Sequence, residues 1–129
     1  MKLLEVTANE QLLHLQQLLL DLDPDIDDIL LGPKQRAFVI GTLKIIYKDG
    51  YSISLRVRLN TFELVWYGAN GTYLKLADAR WSINLLSMTS NQLESVCKSI
   101  HAKIKENHAV WSATKLALQQ TSNSHQQPA

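Results

Sequence analysis

The sequence predicts an α+β fold: a four-stranded antiparallel meander with an N-terminal helix and one or two C-terminal helices packed on one face. Three observations lead there. Leucines recur at spacings of three and four in the first quarter, the apolar period shortens to two across residues 36–76, and a helical stripe returns after residue 89. Short turn signals separate the middle segments, as consecutive hairpins require, and no crossover long enough for parallel pairing lies between them.

Met1 to Val6 alternates loosely, as a short strand would, and Thr7 with Glu10 three residues on has the spacing of a capping box. In the helix that follows, Leu12, Leu15, Leu19 and Leu22 form the stripe, widened by Leu13 and Leu20. Asp23-Pro24 ends it, because the residue before a proline is pushed out of the helical region. Asp25 to Pro33 is expected to be a connection, with room for one helical turn, closed by the Gly32-Pro33 breaker.

Arg36 to Lys48 is then the first strand, Asp49-Gly50 a tight hairpin turn, and Tyr51 to Asn60 the second strand. In that second strand Ile53, Leu55, Val57 and Leu59 point one way and Ser52, Ser54, Arg56, Arg58 and Asn60 the other. Phe62 to Gly68, the Asn70-Gly71 turn and Thr72 to Leu76 complete the meander, and Ala77 to Met88 fits either a further strand or a buried loop. Thr89 and Gln92 repeat the capping-box spacing ahead of an apolar stripe of Leu93, Val96, Cys97, Ile100 and Ile104. Glu106-Asn107-His108 interrupts that stripe, so Val110 to Gln120 is expected to be a third helix; residues 1–120 form one domain and the polar residues 121–129 a disordered tail.

At 129 residues the chain has one domain's length, and 46% apolar with 19% charged residues excludes a disordered, collagen-like or disulfide-rich class. One cysteine allows no internal disulfide, and the opening residues lack a secretory pattern, so a cytoplasmic setting is expected. Apolar runs are far shorter than the roughly 18 residues of a spanning helix, which argues against a membrane.

The net charge of +1 hides a partition: residues 1–28 carry −6 and residues 29–129 carry +7. Asp21 to Asp28 resembles a calcium loop in acid content only, since Ile26 stands where glycine is needed and Gly32 where the bidentate glutamate belongs, so a solvated acidic linker is expected. His14, His101, His108 and His125 lack zinc spacing, and Cys97 lies within an apolar stripe, where cysteine acts as a small core residue. Phosphate loops, nucleophile elbows and paired carboxylates do not occur in the sequence, so neither metal nor cofactor nor catalysis is expected.

A binding role remains, and two surfaces compete for it. Lys44, Lys48, Arg56, Arg58, Tyr73 and Lys75 share outward parities, and cations interleaved with an aromatic ring suit RNA or another single-stranded nucleic acid. Phe38, Ile40 and Ile46 lie on the same outward side of the first strand, where apolar residues suit a protein contact or a homodimer. The near-neutral total charge favours the second reading: a small, dimeric, non-catalytic protein-binding factor, an adaptor, inhibitor or assembly factor.

Gln35-Arg36-Ala37-Phe38, Ile53-Ser54-Leu55-Arg56-Val57, Asn60-Thr61-Phe62 and Thr72-Tyr73-Leu74 lie in the order of the sheet segments of ribosome-inactivating proteins, whose N-terminal part the element order resembles over roughly half the chain. Phe62 stands where that family's first active-site tyrosine falls, and the helix supplying its glutamate and arginine has no counterpart here, so the resemblance implies no depurination. A helix-meander-helix order is also similar to small RNA-binding domains of the signal recognition particle.

Overall fold

In the computed structural model, which describes residues 2–32, 39–67 and 73–126, two helices pack on one face of a five-stranded sheet. The elements are α1 (Lys2–Leu22), β1 (Ile26–Gly32), β2 (Val39–Tyr47), β3 (Ser52–Arg58), β4 (Thr61–Tyr67), β5 (Tyr73–Ser82), a short 3₁₀ turn (Leu85–Ser87) and α2 (Ser90–Gln126). Sheet order is β1-β2-β3-β4-β5 with every neighbour antiparallel, so the expected meander holds with five strands instead of four.

The added strand is β1, in the segment expected to be a connection. Its buried residues, Ile26 and Ile29, are three apart across a bulge, so no strict alternation marks it in sequence. Three further boundaries differ, the first being β5, which runs past the expected end at Leu76 to Ser82, so that the start of the Ala77–Met88 segment continues the last strand. α1 absorbs residues 2–6, so Thr7 and Glu10 sit within the helix instead of at its start, and α2 runs unbroken through Glu106-Asn107-His108 to Gln126, joining the two expected C-terminal helices into one. Phe38 and the Asn70-Gly71 turn lie outside the described residues.

Other local signals act as their chemistry dictates. Thr89 N–H donates to Gln92 Oε1 at 2.9 Å and Gln92 N–H to Thr89 Oγ1 at 3.2 Å, a reciprocal capping box. The Asp49-Gly50 hairpin closes as a three-residue loop, with Gly50 N–H donating to Tyr47 carbonyl at 3.0 Å and Gly50 at φ +96°, where a side chain would be strained.

One core lies between the helices and one sheet face. Ala8, Leu12, Leu15 and Leu19 of α1 and Leu93, Cys97, Ile100 and Ile104 of α2 meet Leu43, Ile45, Tyr47, Ile53, Leu55, Val57, Phe62 and Leu64. α1 crosses β2 so closely that a Cβ on Gly41 would stand 2.9 Å from Leu12 Cδ2. The free edge of β1 is closed at its centre: Ile29 carbonyl accepts from Gln16 Nε2 of α1 at 2.7 Å, and Ile29 N–H donates to Asp28 Oδ1 at 2.8 Å.

Candidate functional site

By strand parity Lys44, Arg56 and Arg58 lie on the second sheet face, whereas Lys48 stands in the β2–β3 hairpin loop outside the strands, and backbone pairing sets the strand residues in rows. Thr42, Arg56, Glu63 and Arg80 are successive cross-strand partners, as are Lys44, Ser54, Val65 and Lys75; Tyr73 pairs with Tyr67, and Arg58 with Val39. Lys44, Lys48 and Arg80 are exposed, whereas Arg56 and Arg58 are half-buried. Glu63 sits among these cations almost fully buried, with its carboxylate 3.7 Å from Arg58 Nη1. Ser54 and Val65 are also buried, so this face is not the uniformly open surface that alternation predicts. Ile40 packs on the core and Ile46 is half-buried between Asp28 and Ser52.

A denser constellation forms where the middle of α2 meets the β2–β3 hairpin and the end of α1. Asp23, 4% exposed, accepts from Tyr47 Oη at 2.9 Å, His101 Nε2 at 2.8 Å and Asp25 N–H at 3.0 Å, with Lys105 Nζ at 3.8 Å. Burial alone would raise its pKa; the His101, Asp25 and Tyr47 hydrogen bonds and the Lys105 charge outweigh burial and hold it below the ordinary 3.8. The same burial, with Asp23 beside it, drives the Tyr47 phenol far above its usual range.

Two helical turns on from His101, His108 Nε2 lies 2.6 Å from Asp49 Oδ2 at the hairpin tip, and the His108 ring stacks on Tyr51 with centroids 4.5 Å apart. Asn107 donates to Tyr51 Oη, whose pKa is pushed up to about 12 by burial against the opposing effect of that bond. Trp111 closes the group at 5.3 Å from Tyr51, with Lys115 Nζ 4.9 Å over its face. The acidic stretch is therefore not a solvated linker throughout: its Asp23 is the buried centre of a clasp on α2. The residues His101, Lys105, His108 and Trp111 fall three or four apart, a face visible in sequence only once the helix is known to be continuous.

Chemically the clasp is saturated. His101 and His108 are each committed to a carboxylate and the Tyr47 and Tyr51 hydroxyls each to a hydrogen bond, and clefts of ≈ 480, ≈ 170 and ≈ 170 Å³ among the described residues are lined elsewhere except for Asn107 at the rim of one. Among the described residues no group of three His, Cys, Asp or Glu side chains could hold a metal. Cys97 is buried in the core, and burial pushes its thiol up to about 11, aided by Glu94 and opposed by Lys98.

Beyond the clasp α2 outruns the body. Its 37 residues span about 55 Å, against about 31 Å for the 21 residues of α1. Residues 112–119 are all exposed, and Val110, Leu116 and Leu118 show 63%, 56% and 67% of their surface. Leu93, Cys97, Ile100, Ile104, Asn107, Trp111, Thr114 and Leu118 follow one another at alternating spacings of four and three, so one heptad stripe begins in the core and continues into the overhang.

Among the described residues, no helix is long and apolar enough to cross a membrane. Comparison with family models, characterised proteins and solved structures gives no match to this chain.

Proposed function

We propose that this chain is a small non-catalytic protein-binding module, an adaptor, inhibitor or assembly factor of a reducing, cytoplasmic setting, that works as a homodimer. One observation carries the reading: a helix tied to the body by the clasp continues past its own core with its stripe still running and Leu118 two-thirds exposed among the described residues. An isolated helical segment this short is marginal in water, so a covering partner is what makes it worth extending. The β1 edge is a poor alternative for joining copies, since Gln16 and Asp28 already occupy the hydrogen-bonding groups at its centre.

Sedimentation velocity across a concentration series tests this. The expected result is a concentration-dependent dimer; a monomer throughout overturns it. The polyanion reading of Lys44, Lys48, Arg56, Arg58, Tyr73 and Lys75 is supported by the pairing rows that set Lys44 in register with Lys75 and Arg56 with Arg80. It gains ground if the monomer binds a single-stranded oligonucleotide with an affinity that falls steeply with salt.

A further inference from the structure

Resting on that homodimer reading, we infer that two copies join through their α2 overhangs, packed antiparallel about a two-fold axis at Thr114. The heptad stripe supplies the face: Val110, Trp111, Thr114, Ala117 and Leu118 lie on one side of the helix, which continues the side that Ile100 and Ile104 bury in the core. A dyad at Thr114 sets the pairing, because residue 114+n of one copy then lies level with residue 114−n of the other. Leu118 meets Val110, Ala117 meets Trp111, and Thr114 meets itself. The largest side chain is thus opposite the smallest on that face, as ridge-into-groove packing needs.

Charge favours a second copy over a foreign segment. Residues 109–126 contain no acid and a single lysine, Lys115, which under this dyad lies level with Ala113, so neither copy presents a charge to its equal. A strongly charged partner would find no complement on the overhang. The 18 residues from 109 to 126 extend about 27 Å, enough for the end of each overhang to reach the other copy's Lys48-Asp49-Gly50 hairpin. The two-fold then makes every such contact twice.

Cysteine cross-linking of the full chain tests the axis, with native Cys97 silent because it is buried. Thr114→Cys should form an interchain disulfide under mild oxidation, since only residues at the dyad meet their own copies, while Ser122→Cys should not. Cross-linking by both variants would mean parallel helices and would overturn the proposed axis while leaving the dimer intact. A dimer by sedimentation without a Thr114→Cys disulfide would overturn it as well; a monomer in sedimentation would remove both the axis and the homodimer reading. Leu118→Glu should weaken dimerisation at least tenfold with an unchanged melting curve at low concentration, whereas Leu116→Glu, on the opposite side of the helix, should leave it within about twofold. Equal effects of the two would overturn the stripe.

Discussion

The two halves of α2 carry one pattern and meet opposite fates. Leu93, Cys97, Ile100 and Ile104 are at most 2% exposed beneath the sheet, whereas Leu118, on the same stripe, is 67% exposed. Periodicity thus specifies a face, and the sheet's limited width decides how much of that face the chain itself can cover. Between the halves lies the clasp, where polar groups replace aliphatic ones: His101 and His108 reach carboxylates, and Asn107 takes a stripe position with its amide donated to Tyr51. The changeover from apolar to polar contact marks the rim of the body, at the hairpin tip.

That contrast predicts very unequal costs along one helix. Ile104→Ala should lower unfolding free energy by about 2–5 kcal/mol, the usual loss for a fully buried aliphatic side chain, and Leu118→Ala by no more than about 0.5 kcal/mol in the monomer. Urea titration of the two variants at a concentration where the protein is monomeric reads the difference; comparable losses would mean that the overhang folds against the body.

The clasp should fall next. Asp23→Ala leaves Tyr47 Oη and His101 Nε2 without their shared acceptor, at a cost of about 3 kcal/mol, and Asp23→Asn should retain part of it because the amide oxygen still accepts. Equal losses in the two variants would show that charge, not hydrogen bonding, holds α2.

A smaller effect separates clasp from overhang by pH. Asp23 and Asp49 both have carboxyls held below their ordinary 3.8, in each case by hydrogen bonds that outweigh the opposing effect of burial. The folded chain therefore binds these protons less readily than the unfolded chain, so their contribution is complete above about pH 4 and is lost as pH falls through the lowered folded values. Unfolding free energy of the wild type should drop over that acid interval, with a shallower slope in Asp23→Asn; a Leu118 variant should follow the wild-type slope.

Much of the architecture could be read from residues alone because it rests on local rules. Proline after Asp23 stopped α1, Thr89 and Gln92 capped α2, Gly50 turned the hairpin, and alternation at Ile53, Leu55 and Val57 marked the buried side of β3. β1 escaped because a bulge replaces alternation with a spacing of three, which in a seven-residue strand imitates a helical turn. The polar run Glu106-Asn107-His108 imitates a helix end in sequence, yet the partners of Asn107 and His108 lie on a hairpin more than 50 residues away and that of Glu106 is Lys103 on the same helix.

Composition, charge partition, helix stripes and turn chemistry were thus set by the sequence itself, since each depends on neighbours a few residues apart. Tertiary structure alone decided that Asp23 is buried under His101 and Tyr47, that Glu63 lies among the basic rows, and that α2 outlasts its core. Those are meetings of residues distant along the chain. A carboxylate's surroundings, and the point at which a helix loses its cover, are fixed by where other elements end in space, which no local spacing encodes.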